Sequence, residues 1–488
     1  MYSFGQDFNK VDLKEGICSD SLQYVAGRTK RDSIQHYFYF APDLVFSTTS
    51  KVPFYKTGLS FDYNFRRIGK KGFKWSGRIS PRIGITNQGS IPYFSDPQTR
   101  SFYLNPLKNS LFGQNTYNYF DLNAHIDLDY KLISFTIGMS TPNFGFSERS
   151  IFGSNTGINN PFIRLKIDFN NSLSYSVRQD ILRERTGDHF EPKGNVTHSL
   201  LYKHKGNSKF QARLFETVVY QMKDTLYNRG FEVEYLNPFL FYRPQEYNMG
   251  SADNILLGAE FQYVLGKNKN LLSLNYTKVY GQLLIDDFEL THFKARDGWW
   301  GNKYGFNVGL SVNNNMYSYE GISKKYTIEF TYMRPYVFSQ TDPGGVYGNQ
   351  GLPMGHPLGA NFAELYQSFY ISSIDKKYSM DVFLQAYIKG IDPNGLNTIS
   401  YGGDIYKSYN KHPFELNNVI GQGVKLKCAQ VGTRFTYLID KNKFINSMHF
   451  YIEPRYRLLF FDNHRQTDFF LMVGIQSSLW SIKDRLNY

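Results

Sequence analysis

The chain has 488 residues, a formal net charge of +13, and 39 Tyr and 42 Phe against only 4 Trp. It contains no run of 18 apolar residues, which excludes a membrane-spanning helix but not a spanning barrel, whose strands need only every second residue apolar. The basic residues are interleaved singly with aromatics, as in Phe61-Asp-Tyr-Asn-Phe-Arg-Arg67, rather than clustered. That spacing argues against nucleic acid and for lipid phosphates or an acidic polysaccharide as partners.

Residues 1–35 read as a periplasmic entry segment. They carry neither a basic n-region nor an apolar h-region, so an exported form is expected to have lost its signal peptide. Cys18 follows no hydrophobic run and is not a lipidation site. Cys18 and Cys428 are the only cysteines; a disulfide between them and two unpaired thiols both remain open.

From residue 36 to 488 the pattern is that of one barrel domain. Asp121 to Tyr130 alternates polar and apolar without exception, so Leu122, Ala124, Ile126, Leu128 and Tyr130 share one face and Asp121, Asn123, His125, Asp127 and Asp129 the other. The first face is expected to meet lipid and the second a lumen. Ile133 to Ser140, Ile163 to Asn170, Leu257 to Leu265, Tyr304 to Leu310, Tyr326 to Tyr332 and Met448 to Leu458 repeat the alternation. Counting such segments gives about 18 strands, within 16–20, in an all-β, transmembrane antiparallel β-barrel. The ionic face would be costly in a sealed core and is accepted by a hydrated lumen. Soluble β-sandwiches also alternate, but do not sustain an ionic outward face over this length. Residues 86–118, 335–365 and 390–420 break the rhythm and are expected to be long loops, extracellular or folded inward.

Signals for catalysis are poor. There is no Gly-x-Ser-x-Gly, no phosphate-binding loop and no zinc spacing, so the protein is expected to be no enzyme and to use no cofactor or metal. His356 lies in a Gly/Pro loop and His449 on a polar strand face, each read as structural. Asp286-Asp287 are adjacent, so one is expected in the lumen and one at a strand end. Trp299-Trp300 places half of the tryptophans side by side, fitted either to sugar rings or to the membrane interface.

The block Tyr235-Leu-Asn-Pro-Phe-Leu-Phe-Tyr-Arg-Pro-Gln-Glu-Tyr-Asn-Met-Gly-Ser-Ala-Asp-Asn-Ile-Leu-Leu-Gly258, with Tyr280-Gly-Gln-Leu-Leu-Ile-Asp-Asp-Phe288, Trp299-Trp-Gly-Asn-Lys-Tyr-Gly305 and Gly355-His-Pro-Leu-Gly-Ala-Asn361, resembles the Wzi-like capsule-assembly barrels. Within them it is most similar to the Bacteroidota, RemB-like gliding-associated branch. The resemblance implies a Gram-negative outer-membrane barrel that acts as a surface lectin organising capsule or exopolysaccharide, in contact with outer-membrane lipid and lipopolysaccharide. A role as accessory subunit of a gliding or type IX secretion complex, and a passive porin-like channel, are the alternatives. Arg243, Glu246, Asp253, Asp286, Trp299 and Trp300 lie in the matching motifs and are the residues expected to meet a polysaccharide, if they do not simply hold the fold together. The helical plug of the enterobacterial members has no counterpart in the N-terminal sequence.

Overall fold

The computed structural model describes residues 35–48, 53–69, 72–86, 107–108, 117–153, 158–186, 189–204, 209–223, 230, 235, 253–265, 276–313, 322–373, 375, 377–393, 398–440, 448–461 and 464–477. Among them, eighteen long strands follow one another: β1 Gln35–Thr48, β2 Pro53–Ile68, β3 Lys74–Thr86, β4 Tyr117–Tyr130, β5 Ile133–Ser140, β6 Asn160–Asp168, β7 Leu173–Thr186, β8 His189–Lys203 and β9 Phe210–Gln221. The second half runs β10 Asn254–Val264, β11 Tyr276–Asp287, β12 Lys303–Asn313, β13 Ile322–Met333, β14 Phe362–Ser373, β15 Tyr378–Ile391, β16 Val424–Asp440, β17 Met448–Phe461 and β18 His464–Ser477.

Each strand pairs antiparallel with its chain neighbours. The ring closes where β1 pairs with β18, from Asp43 opposite Gln476 to Thr48 opposite Leu471. Closure leaves no unpaired edge, which is what permits a sheet to stand in hydrocarbon. The expected strand number and class are therefore observed. No helix among the described residues is long and apolar enough to cross a membrane.

Alternation sorts the wall. Leu59 and Phe61 are exposed on the outside while Ser60 and Asp62 are buried towards the lumen. In β4, Ile126 and Tyr130 are exposed, whereas Asp127 accepts a hydrogen bond from Thr136 (2.7 Å) and Asp121 one from Asn159 (2.7 Å). The outward apolar row is the surface a bilayer requires, and these inward carboxylates are hydrogen-bonded by neighbouring strand and loop side chains.

The connections divide by length. Those after even-numbered strands, such as 131–132, 169–172 and 374–377, are short, and they share one rim. At the other rim, 87–116, 141–159, 222–253, 288–302, 334–361 and 392–423 are long, and only 49–52, 187–188 and 462–463 are short. Short turns mark the periplasmic rim of such barrels.

The main apolar core lies inside the barrel, at the rim of the long connections. Ile151 and Phe152 from one loop, Val337, Phe338, Val346, Tyr347, Met354 and Leu358 from a second, and Ile405 and Tyr406 from a third pack against wall residues such as Phe215, Leu256, Leu284 and Leu459. Phe215 lies where a side chain on Gly258 would be, its ring 1.7 Å from the position of an added Cβ. These loops are thus folded inward and fill the outer part of the lumen along the β7–β17 arc.

A second apolar cluster sits on the outside of the wall. Val177, Val196, Val218, Tyr220 and Ile255 share the outward face with exposed Ile181, Leu200, Leu214 and Leu257, yet are themselves buried, because Tyr235 packs over them. His198 Nε2–H donates to the Tyr235 carbonyl (2.6 Å), and its Nδ1 accepts from the Tyr175 hydroxyl (2.6 Å).

Candidate functional site

The inward loop 141–153 is held by a row of acceptors on the wall. Its backbone N–H groups donate to side chains of β10, β11 and β13: Phe146 to Glu260 (2.8 Å), Glu148 and Arg149 to the two oxygens of Glu329 (2.7 and 3.0 Å), and Ile151 to Gln282 (3.1 Å). A loop taken out of water must find partners for these groups, and the strand period places Glu260 directly opposite Gln282. Arg149 then reaches Glu364 on β14 with two bonds, 2.6 and 2.7 Å. Gln385 donates to the same carboxylate.

His356 completes that shell. Its Nδ1 accepts the Leu358 N–H (3.2 Å), which leaves the Nε2–H to donate to Glu364 (2.9 Å). Burial lowers its pKa to about 4; Glu364 opposes the shift and Arg149 adds to it. The imidazole is neutral at pH 7 and is structural, as the sequence suggested.

Three buried lysines from the wall cap loop carbonyls. Lys389 bonds Leu358 O (2.7 Å), Ala360 O (3.2 Å) and Gly403 O (3.0 Å), joining two loops. Lys193 bonds Pro343 O (3.2 Å) and Val346 O (2.9 Å), with Glu184 at 3.3 Å. Lys303 bonds Ser339 O (3.3 Å) and lies 3.5 Å from Asp286 and 2.7 Å from Asp287. Unpaired, an ammonium here would be prohibitively costly; each is balanced by carbonyl dipoles or carboxylates.

At the outer rim, loop 288–302 meets loop 398–423. Trp299 stacks on His292 (centroids 4.6 Å) and Trp300 on His412 (4.5 Å), with the Tyr409 ring 5.0 Å from Trp300. Trp300 Nε1–H donates to Glu415 (3.0 Å), and Trp300 N–H to the Glu415 carbonyl (3.0 Å). Asp297 accepts from His292 (2.6 Å) and from the Trp299 N–H (3.0 Å). The hydrogen bond from His292 holds the Asp297 carboxyl below its ordinary pKa and raises that of the histidine; His412 lowers Glu415 in the same way. The result is a half-buried aromatic ledge edged by two ionised carboxylates, with Leu290, Phe293, Phe414 and Val419 exposed in the same two loops.

Of the six residues expected to meet a polysaccharide, Trp299 and Trp300 stand together on this ledge. Asp286 does not join them: it is buried in the lumen, accepts the Phe338 N–H (2.8 Å), and carries the inward loop. Asp287, at the strand end, is half exposed. The β11–β12 register shifts between Ile285 and Asp287, which brings both carboxylates to one ammonium. Asp253 is buried, bonded by the Tyr235 hydroxyl on the outer wall. Arg243 and Glu246 lie outside the described residues, as do Cys18 and residues 1–34. Cys428 is a buried free thiol in the core.

His292, Asp297, Tyr409, His412 and Glu415 were not singled out from the sequence. The ledge joins Trp300 to Glu415, 115 positions apart, and no local motif marks them. No group of residues suited to a metal ion occurs among the described residues.

No family model matches the chain, and no curated protein matches it in sequence. Solved structures do share its architecture. Wzi, an Escherichia coli outer-membrane protein involved in group 1 capsule assembly and described as a carbohydrate-binding β-barrel, superposes with a TM-score of 0.53 at 12% identity, over 90% of this chain and 83% of that one. OprD of Pseudomonas aeruginosa follows at TM-score 0.48 and 8% identity, over 90% and 94%. OccAB2 of Acinetobacter baumannii gives 0.49 and 7%, over 91% and 97%. At these identities the likeness is one of fold: the chain is a membrane-spanning β-barrel of the outer-membrane kind, similar in architecture to Wzi.

Proposed function

We propose that the protein is a non-catalytic outer-membrane barrel that binds or organises surface polysaccharide. The observation that carries this reading is the Trp299–Trp300 ledge at the long-loop rim, above a lumen filled by inward loops. Indole faces accept the apolar C–H faces of sugar rings, and Asp297 and Glu415 offer acceptors to hydroxyls at the ledge margin. The carbohydrate binding ascribed to Wzi, a barrel of similar fold, supports the same reading. Capsule assembly, a gliding-associated role and a Bacteroidota affiliation follow from the motif resemblance alone.

The test is a pull-down on immobilised surface glycans comparing wild type with Trp299→Ala and Trp300→Ala. Retention by wild type and loss in both variants is expected; failure of correctly folded wild type to bind any surface glycan of its own cell overturns the reading.

One observation favours a second reading, a passive channel for small solutes. The β2–β6 side of the lumen is lined by ionic and polar pairs, among them Arg78–Asp62 (2.8 Å) and Arg164–Thr136 (3.2 Å), rather than by the apolar core. Single-channel conductance separates the two. Stoichiometric partners retained after mild extraction would instead indicate a subunit of a larger surface complex.

A further inference from the structure

The outer wall is interrupted at the short-loop rim. Across β13 to β17 one outward row near that rim holds Ile322, Ser373, Tyr378, Tyr437 and Phe450, with Ile439 and Met448 beyond it on β16 and β17, and the next row towards the membrane middle holds Ile371, Met380, Phe435 and Ile452. Every member is bulky except Ser373. Its small side chain, between Ile322 and Tyr378, opens a groove of about 470 Å³ lined almost wholly by apolar atoms. The flanking Tyr378, Tyr437, Phe435 and Phe450 are exposed on the face that meets hydrocarbon.

The groove mouth carries a positive charge. Lys377 Nζ lies 5.9 Å from the Tyr378 ring and 5.8 Å from the Tyr437 ring, which pack against each other at 5.2 Å. The neighbouring Asp375 carboxylate is turned to the Ser373 hydroxyl (2.5 Å) and the Lys377 N–H (3.0 Å), so its own hydrogen bonds are made within the turn.

An acyl-sized apolar slot, a belt of two tyrosines and a cation at headgroup level are complementary to one ligand class. We propose that this groove binds a glycerophospholipid of the periplasmic leaflet, with one acyl chain along Ser373 and its phosphate at Lys377. The short turns at this rim place it on the phospholipid side of an outer membrane, away from lipopolysaccharide. Tyr and Lys at such a level anchor to headgroups, and the groove converts general anchoring into a defined site.

The experiment is native mass spectrometry of the full chain, extracted in mild detergent and offered a phosphatidylglycerol–phosphatidylethanolamine mixture or lipid A. One phospholipid retained per wild-type barrel is expected. Ser373→Phe fills the slot and should lower retention roughly tenfold, the effect of losing about two buried methylenes. Ser373→Ala loses the same turn hydrogen bond but leaves the slot open, and should retain the lipid. Lys377→Gln should weaken retention of phosphatidylglycerol. Equal retention by wild type and Ser373→Phe, or selective retention of lipid A, overturns the proposal. Heat-modifiable gel mobility checks that each variant has folded.

Discussion

Arg149 and Glu364, 215 residues apart in the chain, meet as a buried bidentate pair inside the barrel. One belongs to an inward loop and the other to the wall, so the pair ties loop 141–153 into the outer lumen. Removing one member of a buried pair leaves the other uncompensated and costs about 3–5 kcal/mol. Arg149→Met is therefore expected to release loop 141–153 while leaving the barrel closed. Planar-bilayer recordings should show larger or noisier conductance than wild type, and Arg149→Met/Glu364→Gln, which keeps an acceptor for His356 and removes the unpaired charge, should recover much of the lost thermal stability. A quiet, wild-type trace from Arg149→Met would show that the loop is held without the pair.

His356 gives the filled lumen a pH dependence of known sign. Its pKa is about 4 in the folded protein against an ordinary 6.5, so the unfolded chain takes up the proton first as pH falls. The stability it contributes is complete above about pH 6.5 and is lost progressively down to about pH 4, on the order of 3 kcal/mol in all. His356→Gln, which cannot be charged, should flatten the fall in melting temperature over that window. An unchanged slope in the variant would place the acid sensitivity elsewhere.

Lys389 ties loops 334–361 and 398–423 through three carbonyls. Lys389→Met keeps the apolar stem and strands those acceptors, at about 1–3 kcal/mol for each left unsatisfied. Limited proteolysis of intact barrels should then cut within these loops at concentrations that spare the wild type. Equal resistance would mean that the apolar packing of Phe338, Ile405 and Tyr406 suffices.

Tyr235 and Asp253 both lie in the first block on which the family resemblance rests, and they are hydrogen-bonded on the outer wall. Tyr235→Phe deletes the hydroxyl and leaves the carboxylate short of a donor, worth about 1.5–3 kcal/mol. The expected result is earlier protease nicking in the 222–253 connection, with the heat-modified mobility of the barrel unchanged. Nicking at the wild-type rate would dissociate the motif from that bond.

How much was legible follows from how far each signal reaches. Alternation is a two-residue property, so Asp121 to Tyr130 declared its strand and both its faces, and Ile126 and Asp127 lie as that pattern required. The long interruptions at 335–365 and 390–420 declared loops in the same way. Their inward fold was left open, because Lys389, Glu364 and Arg149 look in sequence like any lumen charge. Asp286 illustrates the limit: its motif left open a polysaccharide contact or a lumen strut, and a register shift and the Phe338 N–H make it the strut. Trp299 and Trp300 were visible as a pair, whereas His292, Tyr409, His412 and Glu415 join them only through contacts between loops.

The sequence by itself determined the wall: period, strand number to within two, the apolar outside and the ionic inside, all set by chemistry repeated every two residues. The tertiary structure alone decided what the barrel contains and what its rim presents. Those depend on charges, amides and rings brought together from distant loops, where burial, not spacing, selects the partner.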